Sequence, residues 1–296
     1  MSVRNPEVTT VDFAPASALT PERLTDVFNL GFRGYYLPMT QTPDGLAQMI
    51  RENDVRLDDS SALSVNGELA GLGLVGVRGS RGWIAGMGVA PLWRGQGIGA
   101  QLLGHLLSRM VEIGLRRAQL EALTVNTPAR TLYERLGFRT SRALNVYHGA
   151  LRLEASHPKT HGGDARLRPV PPRMALRDFD VYHTVAPAWQ RERETLAHMR
   201  GVIEGLGLWD DSRLSAYLLF SRQSGGFALL DGGSSAPEPD VRRADMVTLL
   251  RALAEPAPES IFRAINAPPG DALGDALDLL GCQVAVTQVE MLRSLP

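Results

Sequence analysis

Cysteine is nearly missing from this chain: Cys282 stands alone in 296 residues. One thiol cannot close an intramolecular disulfide, and such usage fits a reducing compartment. Lysine is as scarce, with Lys159 the only one, so arginine carries almost all the positive charge. That is compositional bias, and no function attaches to it. Neither sign of charge is in excess, with 31 Lys and Arg against 32 Asp and Glu. A nucleic-acid footprint needs a basic excess or stripe, so nucleic acid is not expected as a partner. No apolar run approaches the ~20 residues of a membrane span, and no basic-then-apolar N-terminal segment resembles a secretion signal. A soluble, cytoplasmic protein without a membrane partner is expected, with self-association left open.

What the chain has in quantity is apolar side chain, 44% of residues, enough for packed cores over a length that suggests about two domains. The most informative stretch runs from Gly86 to Ala100, Gly-Met-Gly-Val-Ala-Pro-Leu-Trp-Arg-Gly-Gln-Gly-Ile-Gly-Ala. Trp83 to Val89 reads as a strand, and Ile98, Leu102, Leu106 and Met110 then recur every four residues, as one face of a helix does. Gly95, Gly97 and Gly99 leave the backbone N–H groups of the intervening turn open. Together with the helix N-terminus they form a cradle for an anion, most often a phosphate. Arg94 is expected to add a positive charge at its entrance.

Three phosphate ligands suit such a cradle. A nucleoside triphosphatase loop needs Lys and then Ser or Thr after its last glycine, and Ile98, Gly99 and Ala100 stand there instead. A dinucleotide fingerprint fits Gly95, Gly97 and Ala100 as G-x-G-x-x-A, with Glu121 about 20 residues on as the ribose-binding acid. Against it, Pro91 to Arg94 separate the strand from the first glycine, and Glu121 is followed by more strand. The third ligand is the pyrophosphate of coenzyme A.

In chain order, Val8 to Phe13 is a short apolar segment, and helices begin at Thr20-Pro21-Glu22 and Thr42-Pro43, each a cap residue followed by proline. Tyr35-Tyr36-Leu37-Pro38 forms an aromatic loop between them. Ser61 to Val65 and Glu68 to Val77 flank Asn66-Gly67, a strong hairpin signal. Ala118 to Val125 reads as a strand, and Thr127-Pro128 opens a helix that Gly137 stops. Residues 152 to 169 turn polar and breaker-rich. His157 and His161 are four apart there, but Pro158 and Gly162 argue against a helix and no carboxylate completes a metal site, so a solvated linker is expected and no metal.

Two of these stretches carry a family resemblance. Val89-Ala90-Pro91 with Arg94-Gly95-Gln96-Gly97-Ile98-Gly99 resembles the acyl-CoA signature of the GCN5-related N-acetyltransferases. Asn126-Thr127-Pro128-Ala129-Arg130-Thr131-Leu132-Tyr133-Glu134-Arg135-Leu136-Gly137-Phe138 resembles the family's second motif, in the right order and at compatible spacing. The resemblance covers residues 9 to 150. It implies an α/β fold with a mixed sheet, acetyl-CoA as acyl donor, and a small-molecule or peptide amine as acceptor. It implies donor contacts at Met87, Gly88 and Val89, along Arg94, Gly95, Gln96, Gly97, Ile98, Gly99 and Ala100, and at Asn126 and Arg130. Asn126 would meet the pantetheine arm and Tyr133 would face the sulfur.

Acetyl transfer to an amine needs a neutral nucleophile, a place for the charge developing on the carbonyl oxygen, and a proton for the departing thiolate. The resemblance gives the second role to backbone N–H groups around Met87 to Val89, where Gly86 and Gly88 would let substrate approach, and the third to Tyr133. Core packing is the alternative for Tyr133, which shares a helix face with Ala129, Leu132 and Leu136. For the base, many relatives carry an acid on the cradle strand, and Trp83 to Val89 has none. Glu121 substitutes, sharing a strand face with Leu123 and Val125, where partial burial would raise its pKa. Its spacing to Asn126 and Tyr133 also resembles the Leu-Glu-Val glutamate of acetyltransferases acting on a ribosomal protein N-terminus. An exposed edge residue is the alternative. Tyr35, Tyr36 and Trp83 are candidates for lining the acceptor pocket, and His105 reads as a surface residue. A non-catalytic acyl-CoA sensor is the competing function.

The second half echoes the first: a helical stretch with Trp189, Leu196 and Met199, strands at Leu214 to Phe220 and Gly226 to Leu230, a helix from Val241 to Leu253, a strand at Ile261 to Ile265, and Leu280-Gly281-Cys282 mirroring Leu136-Gly137-Phe138. A diverged internal repeat is expected, with an unrelated α/β cap as the alternative. The organisation is therefore a catalytic domain at 1–152, a linker at 153–168 and a degenerate domain at 169–296. Aligning Asn266 with Asn126 sets Ile261 at the position of Glu121, and aligning Gly281 with Gly137 sets Leu277 at that of Tyr133. The segment Asp231 to Asp240 is expected as a loop whose prolines and acids would repel a pyrophosphate.

Overall fold

The two early helices start where a threonine precedes a proline, because the threonine hydroxyl accepts an otherwise orphaned N–H. Thr20 Oγ1 takes Arg23 N–H at 3.4 Å and Thr42 Oγ1 takes Gly45 N–H at 3.1 Å. A computed structural model describes residues 7–153, 166–199 and 201–296. Residues 157 and 161, with most of the expected linker, lie outside the described residues. The elements in order are β1 (Val11–Pro15), α1 (Pro21–Gly31), α2 (Pro43–Glu52), β2 (Ser61–Val65), β3 (Glu68–Arg78), β4 (Arg81–Val89), α3 (Ile98–Glu112), β5 (Arg117–Leu123), α4 (Thr127–Arg135) and β6 (Arg139–Gly149). There follow β7 (Arg166–Pro169), α5 (Pro172–Arg177), α6 (Arg193–His198), β8 (Glu204–Asp210), β9 (Arg213–Gln223), β10 (Gly226–Ser234), α7 (Pro239–Ala254), β11 (Ile261–Ala267), α8 (Ala272–Leu279) and β12 (Val284–Ser294). No helix among them is long and apolar enough to cross a membrane.

Contacts divide the chain into two units, Met1–Ser141 with Val289–Pro296, and Arg142–Gln288. This differs from the expected division at both ends. The change of unit falls inside β6, and the second half of β12 belongs to the first unit. Val289, Met291 and Leu295 supply core side chains there, a long-range contribution that local sequence signals do not reveal.

In the first unit the strand order is β1-β2-β3-β4-β5, then the closing part of β12. The Asn66-Gly67 hairpin forms with φ of 53° and 81°, and β3 pairs antiparallel with β4 while β4 pairs parallel with β5. On α3, Ile98, Leu102, Leu103, Leu106, Leu107 and Met110 are buried. At about 1.5–3 kcal/mol per fully buried large apolar side chain, this face fixes where the helix begins. His105 is half-buried rather than a plain surface residue, its ring stacked on Phe13 at 4.3 Å.

The second unit repeats this pattern, β9 antiparallel to β10 and β10 parallel to β11. The repeat holds a nearly constant spacing. β5 and β11 are each seven residues long and start at 117 and 261, 144 positions apart. Leu136-Gly137 and Leu280-Gly281 are 144 apart as well. That spacing corrects the alignment on Asn266: the counterpart of Glu121 is Ile265, not Ile261, while Leu277 remains that of Tyr133. The expected loop at 231–240 is also corrected. β10 continues to Ser234, and Asp231 is wholly buried in it. Arg191 bridges Asp231 at 3.0 Å and Asp271 at 2.6 Å, and Tyr217 donates its hydroxyl to Asp231 at 2.6 Å.

Candidate active site

The cradle comes from a chain reversal that only glycine makes easily. Gly95 and Gly97 have φ of 76° and 80°, and a side chain at either would meet nothing within 4 Å. The turn therefore needs glycine for its backbone conformation, and it leaves open space beside it. Gly97 caps α3 without any side chain over the first N–H groups, which have no intrahelical acceptors and sit at the positive end of the helix dipole. A pyrophosphate fits this surface. Ile98 is buried and anchors the helix start, and Gly99 faces Leu132 of α4.

Arg94 does not project free charge over the entrance. Its Nε donates to Val89 O at 2.8 Å, and its Nη2 donates to Gly31 O and Arg33 O, both at 2.9 Å. The guanidinium satisfies carbonyls at the end of α1 and the end of β4, so its sequence-predicted place as a donor contact gives way to that of a strut. Gln96 likewise turns its amide to Leu92 O at 3.2 Å. Ala100 N–H is spent within the turn, on Gly97 O at 3.0 Å.

β4 and β5 pair only from Arg81–Arg117 to Trp83–Gln119. Beyond these pairs β4 runs on to Val89 and β5 to Leu123, so the two strands part. The side of β4 toward β5, including Met87, Gly88 and Val89, is left without a strand partner there. Gly88 serves a different end from the one expected. A Cβ on it would lie 2.7 Å from the Gly31 backbone, so its missing side chain admits the end of α1 rather than a substrate.

At the start of the parting, the Trp83 indole N–H donates to Glu121 Oε2 at 2.6 Å. Trp83 is buried, 3% exposed, and is not among the residues lining the cavity that Tyr35 and Tyr36 border. It orients Glu121. β5 ends at Leu123, two residues short of the expected Val125, which is 62% exposed. α4 starts at Thr127 as expected, and Asn126 caps it: its Oδ1 accepts Ala129 N–H at 3.3 Å. Arg130 donates to Thr124 O at 3.1 Å, and its Nε is buried without a partner.

Tyr133 is buried on α4, with its ring 6.1 Å from that of Phe138. Burial, reinforced by Tyr35, pushes its hydroxyl well above the usual tyrosine range, so it is protonated at neutral pH and able to give a proton. Burial also raises Tyr35, against the opposing effect of Asn126. Tyr35 and Tyr36 border a cavity of about 860 Å³ with Asp26, Asn29, Phe32 and Met39. The cavity is shaped by a contact sequence reading missed: Asn29 accepts Gln41 N–H at 2.8 Å and donates to Gln41 O at 3.0 Å, pinning the loop back onto α1. No periodicity signals such a pair. Among the described residues no group of three His, Cys, Asp or Glu side chains is placed to hold a metal.

Residues 30–138 match the model of the Acetyltransferase (GNAT) family. The N-alpha-acetyltransferase MAK3 of Arabidopsis thaliana is 37% identical over 83 residues, 27% of this chain and 44% of that protein, so the match spans less than half of that relative. Two solved structures are similar over nearly the whole length. A GCN5-related N-acetyltransferase from Sphaerobacter thermophilus has a TM-score of 0.67 at 14% identity, covering 97% of this chain and 96% of that one. A tandem GNAT protein from the clavulanic acid biosynthesis pathway has a TM-score of 0.66 at 15% identity, covering 96% and 98%. Residues 30–138 thus match the GNAT family, and the chain as a whole has the fold of tandem GNAT proteins.

Proposed function

We propose that this protein is an N-acetyltransferase that moves an acetyl group from acetyl-CoA to an amine of a small molecule or peptide, with one active site per chain, in the first unit. The observation that carries this reading is the parting of β4 and β5, in a unit that also has an open glycine turn at the head of α3 and a buried Tyr133 on α4. The N–H groups of the Gly95 to Gly99 turn would hold the pyrophosphate, with Asn126 and Arg130 along the rest of the donor. Acetyl-CoA supplies an acyl group activated as a thioester. Glu121, aimed by Trp83, takes a proton from the acceptor ammonium or, directly or through water, from the amine as its nitrogen bonds to the acyl carbon. N–H groups of β4 around Met87 to Val89 stabilise the charge gathering on the carbonyl oxygen. Tyr133 gives its proton to sulfur as the carbon–sulfur bond breaks. A cytoplasmic setting fits the lone buried thiol of Cys282.

The second unit has the fold without the groups. Where Glu121 and Tyr133 stand in the first, it has Ile265 and Leu277, and α7 begins at Glu238-Pro239-Asp240 in place of a glycine turn. Measuring thiol release from acetyl-CoA against a panel of small amines and peptide N-termini tests the reading. Saturable binding of acetyl-CoA with no thiol release from any amine would favour a sensor instead.

A further inference from the structure

Two opposite charges line the cavity that Tyr35 and Tyr36 border, and their side chains are paired neither with each other nor with any other described residue. They are Asp26 on α1 and Arg33 just past its end, about 10 Å apart at the rise of a helix. The backbone around them is fixed. Arg94 bonds Gly31 O and Arg33 O, both at 2.9 Å, and Asn29 bonds the backbone of Gln41 in both directions. Aromatic rings stand beside the charges: Phe32 lies edge-on to Tyr35 at 5.5 Å, and Tyr35 edge-on to Tyr36 at 5.7 Å. Phe32 also joins the cavity to β4, since a Cβ on Gly86, next to Met87, would lie 3.6 Å from its ring. At about 860 Å³ the cavity has the size of a small-molecule site. A plain amine placed there would leave both the guanidinium and the carboxylate unanswered, whereas an amino-acid head answers both.

We propose that the acceptor is a free diamino acid of the lysine or ornithine type, acetylated on its side-chain nitrogen. Arg33 takes the α-carboxylate in the two-pronged geometry that guanidinium and carboxylate share. Asp26 takes the α-ammonium, which the aromatic rings beside it also favour. The acceptor's side chain then carries its second amine past Phe32 toward β4 and Glu121. A head held in this way keeps the α-nitrogen away from the thioester and selects the side-chain nitrogen. The transfer balances: that nitrogen bonds to the acetyl carbon and loses a proton to Glu121, while the carbon–sulfur bond breaks and sulfur takes a proton from Tyr133. This substrate class rests on the proposed function, because it needs the acyl group to lie beside Met87 to Val89.

Thiol release by the full chain should be compared for lysine, ornithine, cadaverine, which lacks the carboxylate, and ε-aminocaproate, which lacks the α-ammonium. Lysine or ornithine should exceed both analogues in kcat/KM by about tenfold or more, the low end of what a hydrogen bond to a charged group is worth. Mass spectrometry of the product should find the acetyl group on the side-chain nitrogen. Arg33→Gln should bring the preference over cadaverine down toward one, and Asp26→Asn should do the same for the preference over ε-aminocaproate. Each ratio is independent of how much folded enzyme a preparation contains. No preference for the diamino acids, ratios unmoved by the variants, or acetylation of the α-nitrogen overturns the proposal, and thiol release from any amine then leaves the proposed function standing. No thiol release from any amine of the wider panel overturns both.

Discussion

Trp83 and Glu121 sit on neighbouring parallel strands, and the indole N–H of one reaches the carboxylate of the other at 2.6 Å, just where the strands separate. A donor with no acceptor capacity fixes one carboxylate oxygen and directs the other. If Glu121 is the base, its removal and the loosening of its support should have different sizes.

Glu121→Gln should lower turnover by about 10²- to 10⁴-fold, the usual worth of a general base, with acetyl-CoA affinity unchanged. Trp83→Phe, which keeps the packing and deletes the N–H, should lower turnover by a smaller factor. Steady-state rates at neutral pH with direct measurement of donor affinity check this. Normal turnover by Glu121→Gln would move the base to water or another residue.

Tyr133→Phe should slow thiol release by a comparable factor. A phenol pushed upward by burial is protonated throughout the ordinary assay range, so the wild-type rate should show no fall attributable to Tyr133 between pH 6 and 9. Substitution by Phe should leave the remaining pH profile unchanged in shape. A limb in the alkaline profile that disappears in Tyr133→Phe would contradict the direction of that shift.

Gly97→Glu places a side chain where φ is 80° and a negative charge at the head of α3. It should abolish acetyl-CoA binding in a titration, and NADH should not bind the wild type. Tight NADH binding would return the cradle to a dinucleotide.

The buried ion cluster of the second unit predicts a pH dependence of stability. His183 Nδ1 faces Phe179 O at 2.9 Å and Nε2 faces Asp231 at 3.1 Å. Both partners accept, so both ring nitrogens donate and the imidazole is charged. Burial opposes that charge, but Asp231 outweighs it and the His183 pKa is raised. Burial also opposes ionisation of Asp231, while His183 and then Arg191 hold it down to about 2. A raised histidine stabilises below its unfolded pKa of about 6.5, and that stabilisation is lost as pH rises through the folded value. The lowered aspartate stabilises above its unfolded pKa of about 3.9 and loses this as pH falls toward 2. Thermal melts should therefore show higher stability at pH 5.5 than at pH 8.5, with the difference reduced in His183→Gln.

Calorimetry on the intact chain should give one acetyl-CoA site. At the head of α7 the glycine turn is replaced by a proline, which removes an N–H, and by Glu238 and Asp240, which oppose a pyrophosphate. Two comparable sites per chain would mean that this loop has been misjudged.

Much of the first unit was legible because its signals are local. Threonine-proline pairs, Asn-Gly and the four-residue apolar spacing each act within one turn of chain, and α1, α2, the first hairpin and α3 begin and end close to where they point. The side-chain roles were less legible. Arg94 reads as a free cation next to glycines, yet two of its three carbonyl acceptors, Gly31 O and Arg33 O, lie at and just past the end of α1, distant in sequence. Trp83 reads as a pocket aromatic, yet its partner lies on the next strand. Asp231 reads as a loop acid, because the groups that satisfy it, Arg191, Tyr217 and His183, are distant in sequence and leave no periodic trace. The correct alignment of the halves also required the strand ends, since Asn266 resembles Asn126 in its neighbours and not in its place.

The distribution of β12 bears on how the protein is made. Side chains of Val289, Met291 and Leu295 complete the core that supports Trp93, Ile98 and Tyr133, so the unit translated first lacks part of its interior until the end of this sequence has been synthesised. At ordinary elongation rates the wait is on the order of ten seconds, during which an unfinished apolar surface is open to chaperones and proteases. Ribosomes that stop early would release chains with an incomplete proposed catalytic core, so acetylation would be confined to molecules translated through this segment.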